Sequence, residues 1–286
     1  MRKQLSIMCI FVLISATSMR AEDVTTFHAY VDSDLCARLM LGPITQSRTE
    51  CSQKTYKDGS NAVVVRLSDN TVFGVNKEKL LKEHMGKLAA VTGETEVKSG
   101  TIKLQSVTPQ ETTDIPQGDP ARKLLDVRNY QVKGSAEMHE RIRHELAMIP
   151  YITEFDFISF TLVQDTVILT GWTVRATNRS DAAYRAKTVP GVRQIINNIE
   201  ELPLGGTDME IRANVRGKLQ RMLSQYFWSN GSDIKIIVKN GNVILLGSVI
   251  SQSDSDVANI QAKTVPLAFH VFNLLRVVPP AKKDKG

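Results

Sequence analysis

The chain is 286 residues long, carries 36 Lys/Arg against 30 Asp/Glu and is 42% hydrophobic, a length that suits two or three small domains. Its formal charge of +6 overstates the basicity: Arg2, Lys3 and Arg20 fall in a segment expected to be removed, and 36 − 3 − 30 leaves +3. That balance excludes a nucleic-acid-binding surface, which needs Lys and Arg clustered over a whole face.

Arg2 and Lys3, the apolar run Leu5–Ala16 and the small residues up to Ala21 read as a secretory signal peptide over residues 1–21. A dozen apolar residues fall short of the ~20 that span a bilayer, and no later stretch is apolar enough to cross one. The expected location is therefore periplasmic or secreted, peripheral to a membrane at most. Export implies an oxidising compartment, so the two remaining cysteines, Cys36 and Cys51, are expected to form a disulfide. They lack the paired spacing of a zinc ligand set.

Residues 24–109 read as a β-rich domain. Ala62–Leu67 and Thr71–Val75 flank the turn residues Asp69 and Asn70; a helical stretch follows at Asn76–Met85, then strands Leu88–Thr92 and Thr101–Val107. This order suits a small OB-like barrel. With Asp34-Leu35-Cys36, Cys51 and Val91-Thr92-Gly93 it resembles small OB-like domains of secreted bacterial proteins. Such barrels can bind oligonucleotides or sugars, but no aromatic stacking platform is visible: Phe73 and Tyr56 read as core or edge residues, which leaves an accessory structural role. The polar segment Glu111–Pro120, with two prolines and a glycine, marks a linker over 110–134.

The rest of the chain is duplicated. Ala186-Lys-Thr-Val-Pro190 returns as Ala262-Lys-Thr-Val-Pro266, and the same offset of 76 carries Gly171 to Gly247, Val167-Ile168-Leu169 to Val243-Ile244-Leu245 and Asn197 to Asn273. Each copy, at 135–204 and 207–280, reads as helix, hairpin, helix, strand. The first helix shows a 3.6-residue stripe, Met138, Ile142 and Leu146 in one copy and Ile211, Val215, Leu219 and Met222 in the other. The second hairpin turns at Asn240-Gly241, the favoured two-residue loop, and the first at Gln164-Asp165. The fold class expected is α+β: a small OB-like barrel followed by two modules, each a three-stranded sheet with two helices on one face. The short connection Leu202–Thr207 brings the two copies into contact.

This order, with Asp165-Thr-Val-Ile-Leu-Thr-Gly171, the alanine-rich second helix and Val189-Pro-Gly-Val192, is similar to the BON domain family of bacterial periplasmic and outer-membrane proteins. The second copy departs from the pattern at Val265-Pro-Leu-Ala268, which puts the helix-to-strand turn in doubt. Gly171 is expected to let a strand bend or a helix pack closely, and Gly191 to supply a positive φ. The resemblance implies a non-catalytic protein that binds phospholipid or envelope partners, with tolerance of envelope stress as a further role. The alternative is a periplasmic protein-interaction or peptidoglycan-associated adaptor.

No phosphate loop, nucleophile elbow or kinase set is present, and no cofactor, metal or catalytic residue is expected. His139 and His144 suggest a zinc-protease helix, but five residues separate them, so their side chains diverge by roughly 140°. The candidate lipid contact is the first helix of the second copy. Arg212, Arg216, Lys218 and Arg221 there lead into Tyr226, Phe227 and Trp228, and cations beside aromatic rings suit an anionic lipid surface. Phe227 and Trp228 could equally close the core, and alternation along its strand leaves the face of Trp172 open. From Gly206 onward 11 Lys/Arg face 6 Asp/Glu, against 7 and 9 over Ser135–Gly205, so the charge points to the second copy.

Overall fold

The computed structural model describes residues 24–40, 44–96, 99–125, 135–227 and 233–279. The expected signal peptide and Trp228 lie outside the described residues.

The N-terminal domain runs β1 (Val24–Ser33), α1 (Asp34–Leu39), α2 (Gln46–Lys57), β2 (Ala62–Arg66), β3 (Val72–Val75), β4 (Leu88–Glu96) and β5 (Thr101–Pro109). The strands close into a barrel in the order β1-β2-β3-β5-β4. Phe73 lies at its centre with Val31, Val64 and Leu104, and Tyr56 packs at the margin. The expected helix at Asn76–Met85 is instead two 3-10 turns, Glu78–Leu80 and Lys82–His84.

β1, α1 and α2 were not expected from the sequence, for a physical reason. The second half of β1 is buried on both faces, so it shows no alternation. The buried face of α2 is Arg48, Ser52 and Thr55, polar at helical spacing and invisible to a search for apolar stripes. That face closes over the end of β1. Arg48 Nε donates to Asp32 Oδ2 at 2.9 Å, Ser52 Oγ accepts from the Ser33 N–H, and the Thr55 and Ser33 hydroxyls share a 2.6 Å hydrogen bond. Burial pushes the Asp32 carboxyl upward and the Arg48 guanidinium opposes it. The Cys36–Cys51 disulfide joins α1 to α2 across 15 residues, a loop whose closure stabilises by about 3 kcal/mol in the chain-entropy model.

Part of the expected linker lies on the barrel. After the 3-10 turn Thr112–Asp114, Ile115 and Ala121 are buried against Val63, Val65 and Leu67, and α3 (Arg122–Leu125) begins with Arg122 donating to the Ile115 carbonyl.

The two modules follow as α4 (Ser135–Ala147), β6 (Phe157–Val163), β7 (Thr166–Thr173), α5 (Ala176–Thr188), β8 (Gln194–Glu201), then α6 (Thr207–Met222), β9 (Ile234–Lys239), β10 (Asn242–Val249), α7 (Gln252–Lys263), β11 (His270–Asn273) and β12 (Arg276–Val277). In each, the hairpin is antiparallel and the last strand runs parallel to the second. Ile142, Leu169 and Ala182 centre the first helix-covered core, and Ile211, Val215, Leu245 and Ala258 the second. Met222 is a correction: it is 57% exposed, one turn beyond the last buried residue of its stripe.

The offset of 76 holds at atomic detail. Asn197 donates to the Arg179 carbonyl and accepts from the Ile199 N–H; Asn273 donates to the Ser255 carbonyl and accepts from the Leu275 N–H. Each ties the last strand to the second helix. Gly171 (φ 123°) and Gly247 (φ 104°) both face a carbonyl of the partner strand, that of Phe157 and that of Asp233. A Cβ at either glycine would overlap that oxygen. Gly171→Ala and Gly247→Ala are each expected to destabilise their module by about 2–4 kcal/mol, combining left-handed strain with the clash. Thermal denaturation of the two variants checks this, and equal losses in both are the signature of the shared geometry.

Candidate functional site

The basic helix α6 does not present one cationic face. Arg212 is 3% exposed, and its guanidinium donates to the carbonyls of Pro203 and Val238, the latter at 2.9 Å. Arg216 pairs with Glu154 of the first module. The Lys218 amine donates to Thr264 Oγ1 at 2.9 Å. Tyr226 is buried, its hydroxyl donating to Asp254 and accepting from the Ile250 N–H. Phe227 packs partly buried against the second module's core. Arg221 is exposed and makes no ion pair among the described residues. The expected lipid cluster is therefore corrected at Arg212, which is buried with both terminal guanidinium nitrogens on carbonyls, and at Tyr226, whose hydroxyl is bonded inside the protein, and Arg216 is a contact between modules. The sequence shows the charge of α6 but not that Glu154 and two carbonyls lie opposite it.

Around this helix the modules are locked together. The first module's loop lies along the free edge of β9, with Ile236 N–H donating to the Glu154 carbonyl at 2.6 Å and Lys235 donating to the Thr153 carbonyl. Asp156, fully buried at the foot of that loop, accepts from Thr153, Thr173 and the Val174 N–H and fixes its shape.

The sheet faces that carry no helices meet at a shared core. Ile237, Ile244, Leu246 and Phe272 of the second module pack with Trp172 and Leu202 of the first and with Leu35 of α1. The face of Trp172 is thereby settled: it is 3% exposed and turned away from its own helices. The C-terminal end of α1 lies over β7, where the Leu39 carbonyl accepts from Thr170 at 3.4 Å. Ion pairs rim the junction: Glu200 receives Arg38 of α1 at 2.6 Å and also Lys239 of β9. Burial alone would raise the Glu200 carboxyl, but Lys239 and Arg38 outweigh it and hold it below the ordinary carboxylate range. A cleft of about 420 Å³ opens beside this rim between Asn70 and Val72 of the barrel and Arg179, Asn197 and Asn198 of the first module.

His139 and His144 take no part in a site; the His139 ring packs on Phe160 with centroids 4.6 Å apart. Among the described residues no three or more His, Cys, Asp or Glu side chains are grouped to hold a metal, and no helix is long and apolar enough to cross a membrane.

The BON domain model matches residues 136–203 and 207–279. Two solved structures of CdsD, a structural protein of the type III secretion system of Chlamydia trachomatis, are 13% identical to the chain. One covers 51% of this chain and 94% of its own at a TM-score of 0.20; the other, a C-terminal domain, covers 49% and 96% at 0.19. A comparison with curated proteins gives no match.

Two outcomes follow from the geometry. Arg212→Ala strips donors from two carbonyls and removes a buried stem, an expected loss of about 2–4 kcal/mol, whereas Arg221→Ala leaves the melting temperature unchanged. Chemical denaturation of both variants separates them. For Glu200 the folded value is depressed, so its contribution is full above the unfolded value of about 4.3 and is lost as pH falls through the lower folded value. Hydrogen exchange along β7 and β10 is expected to accelerate below about pH 4, and Glu200→Gln to remove that acid dependence.

Proposed function

This chain is a tandem BON-domain protein, and from that premise we propose that it is a non-catalytic envelope protein that docks, as one rigid three-part body, onto an anionic phospholipid surface. BON domains are commonly associated with the bacterial envelope, and the barrel adds an anchoring and orienting element. The inner sheet faces of both modules are covered by one another and by α1, so contact with a partner falls to the outer surface. There the observation that carries the reading is a set of exposed apolar side chains on the second module, Met222, Ile250 and Ile260, with the exposed cations Arg221 and Lys263 on its two helices. Apolar side chains interspersed with cations suit the headgroup layer of a bilayer, and each cation there contributes about 1 kcal/mol. Docking is therefore reversible and weakened by salt.

Co-sedimentation with phosphatidylglycerol and phosphatidylcholine vesicles tests this. The expected result is binding to the anionic vesicles alone, reduced at high salt and by Arg221→Ala. Absence of binding to every vesicle would sink the lipid reading in favour of a protein or peptidoglycan partner.

A further inference from the structure

The turn between α7 and β11 differs from its counterpart in a way that packing does not explain. In the first module this turn is Val189-Pro190-Gly191-Val192-Arg193, and Gly191 takes φ 95°. The offset of 76 places Leu267 at the glycine and Phe269 at the arginine. Leu267 adopts φ 67°, a left-handed conformation that a bulky residue rarely takes and that stores strain of order 1–3 kcal/mol. Its side chain is not buried in return: Leu267 is 55% exposed and Phe269 74%. An arginine and a glycine have given way to two large apolar side chains in water.

The turn is held firmly. Phe269 N–H donates to the Gly241 carbonyl at 2.9 Å, and the Phe269 ring lies so close over Gly241 that a Cβ there would meet it at 2.5 Å. The Asn240 and Gly241 N–H groups in turn donate to the Asp208 carboxylate, each at 2.8 Å. Asp208 heads α6, followed at once by the exposed Met209. The result is a stiff apolar projection, not a pocket, so it suits insertion into a layer better than capture of a small molecule. Lys263 is exposed at its base, with the Lys218 amine on Thr264. From Val257 to the C-terminus the sequence has five cations, Lys263, Arg276, Lys282, Lys283 and Lys285, against Asp284 alone.

We infer that the Leu267–Phe269 turn is the membrane anchor of this protein, its two side chains entering the headgroup layer of an anionic phospholipid bilayer while the exposed Lys263 beside it meets phosphates. This deepens the docking proposed above and rests on it. Strain kept at an exposed turn then has a use, because it points Leu267 outward beside Phe269.

The test uses phosphatidylglycerol vesicles and the protein with Leu267→Gly, Phe269→Ser, both together, or Tyr184→Ser, a control residue 73% exposed on α5 of the first module. Leu267→Gly relieves the positive φ, so it is expected to melt at or above the parent temperature while the double variant binds at least about tenfold more weakly. Higher stability with lower affinity is a pairing that a purely structural role for Leu267 would not give. Should Phe269→Ser lower the melting point, Leu267→Gly alone decides. Unchanged binding by the Leu267 and Phe269 variants, or an equal loss in Tyr184→Ser, overturns the anchor and leaves surface docking intact. A parent protein that binds no vesicle overturns both.

Discussion

The packing of Leu35 and Trp172 against Ile237, Ile244 and Phe272 is the contact on which the rest of the structure depends. Each module covers only one face of its sheet with its own helices, so the opposite faces must find partners or stay wet. Burying a large apolar side chain contributes roughly 1.5–3 kcal/mol, so the seven buried residues of this junction supply on the order of 10 kcal/mol before entropy is subtracted. The rim pairs Arg38–Glu200 and Lys239–Glu200 are partly exposed, where such pairs contribute at most about 1 kcal/mol each. Burial therefore holds the three parts together, and the ion pairs set how they sit.

Leu35 reaches that junction only because α1 is held in place, and what holds it is polar. Asp32 and Arg48 are almost wholly buried and paired at 2.9 Å. A buried pair of this kind adds little net stability, but removing one partner leaves an uncompensated charge at a penalty of about 3–5 kcal/mol. Arg48 thus fixes α2 on β1, the disulfide carries that position from Cys51 to Cys36, and Leu35 stands one residue away on α1. Strand end, buried ion pair, disulfide and wedge helix form one line of constraint.

The modules were legible because a duplicated sequence carries its own control. Gly171 with Gly247 and Asn197 with Asn273 stand out by offset, and each proves to be a place where backbone geometry admits little else. The barrel was legible only in its later strands. β1 lacks alternation because α2 covers its outer face, and α2 lacks an apolar stripe because its buried side is Arg48, Ser52 and Thr55. The candidate site was the least legible part. A row of cations on a helix looks the same in sequence whether it faces water or, like Arg212 and Arg216, faces two carbonyls and a glutamate brought in from another module.

What the two modules share and where they differ divide along the same physical line. Residues that shape the backbone recur at the fixed offset: the positive-φ strand glycines Gly171 and Gly247, the asparagine ties and the alanines under the second helix. Several residues that face a neighbour do not. Trp172, which enters the shared core, corresponds to Ser248, and Glu200, which gathers Arg38 and Lys239, corresponds to Arg276. Trp172 and Glu200 are turned inward, to the twin module and to α1. The second module's Leu267 and Phe269, in place of Gly191 and Arg193, are turned outward. The joint draws on both copies, Trp172 and Leu202 from the first and Ile237, Ile244, Leu246 and Phe272 from the second, whereas the exposed Leu267 and Phe269 belong to the second alone, so divergence between the copies let one of them add an outward-facing turn without disturbing the shared core.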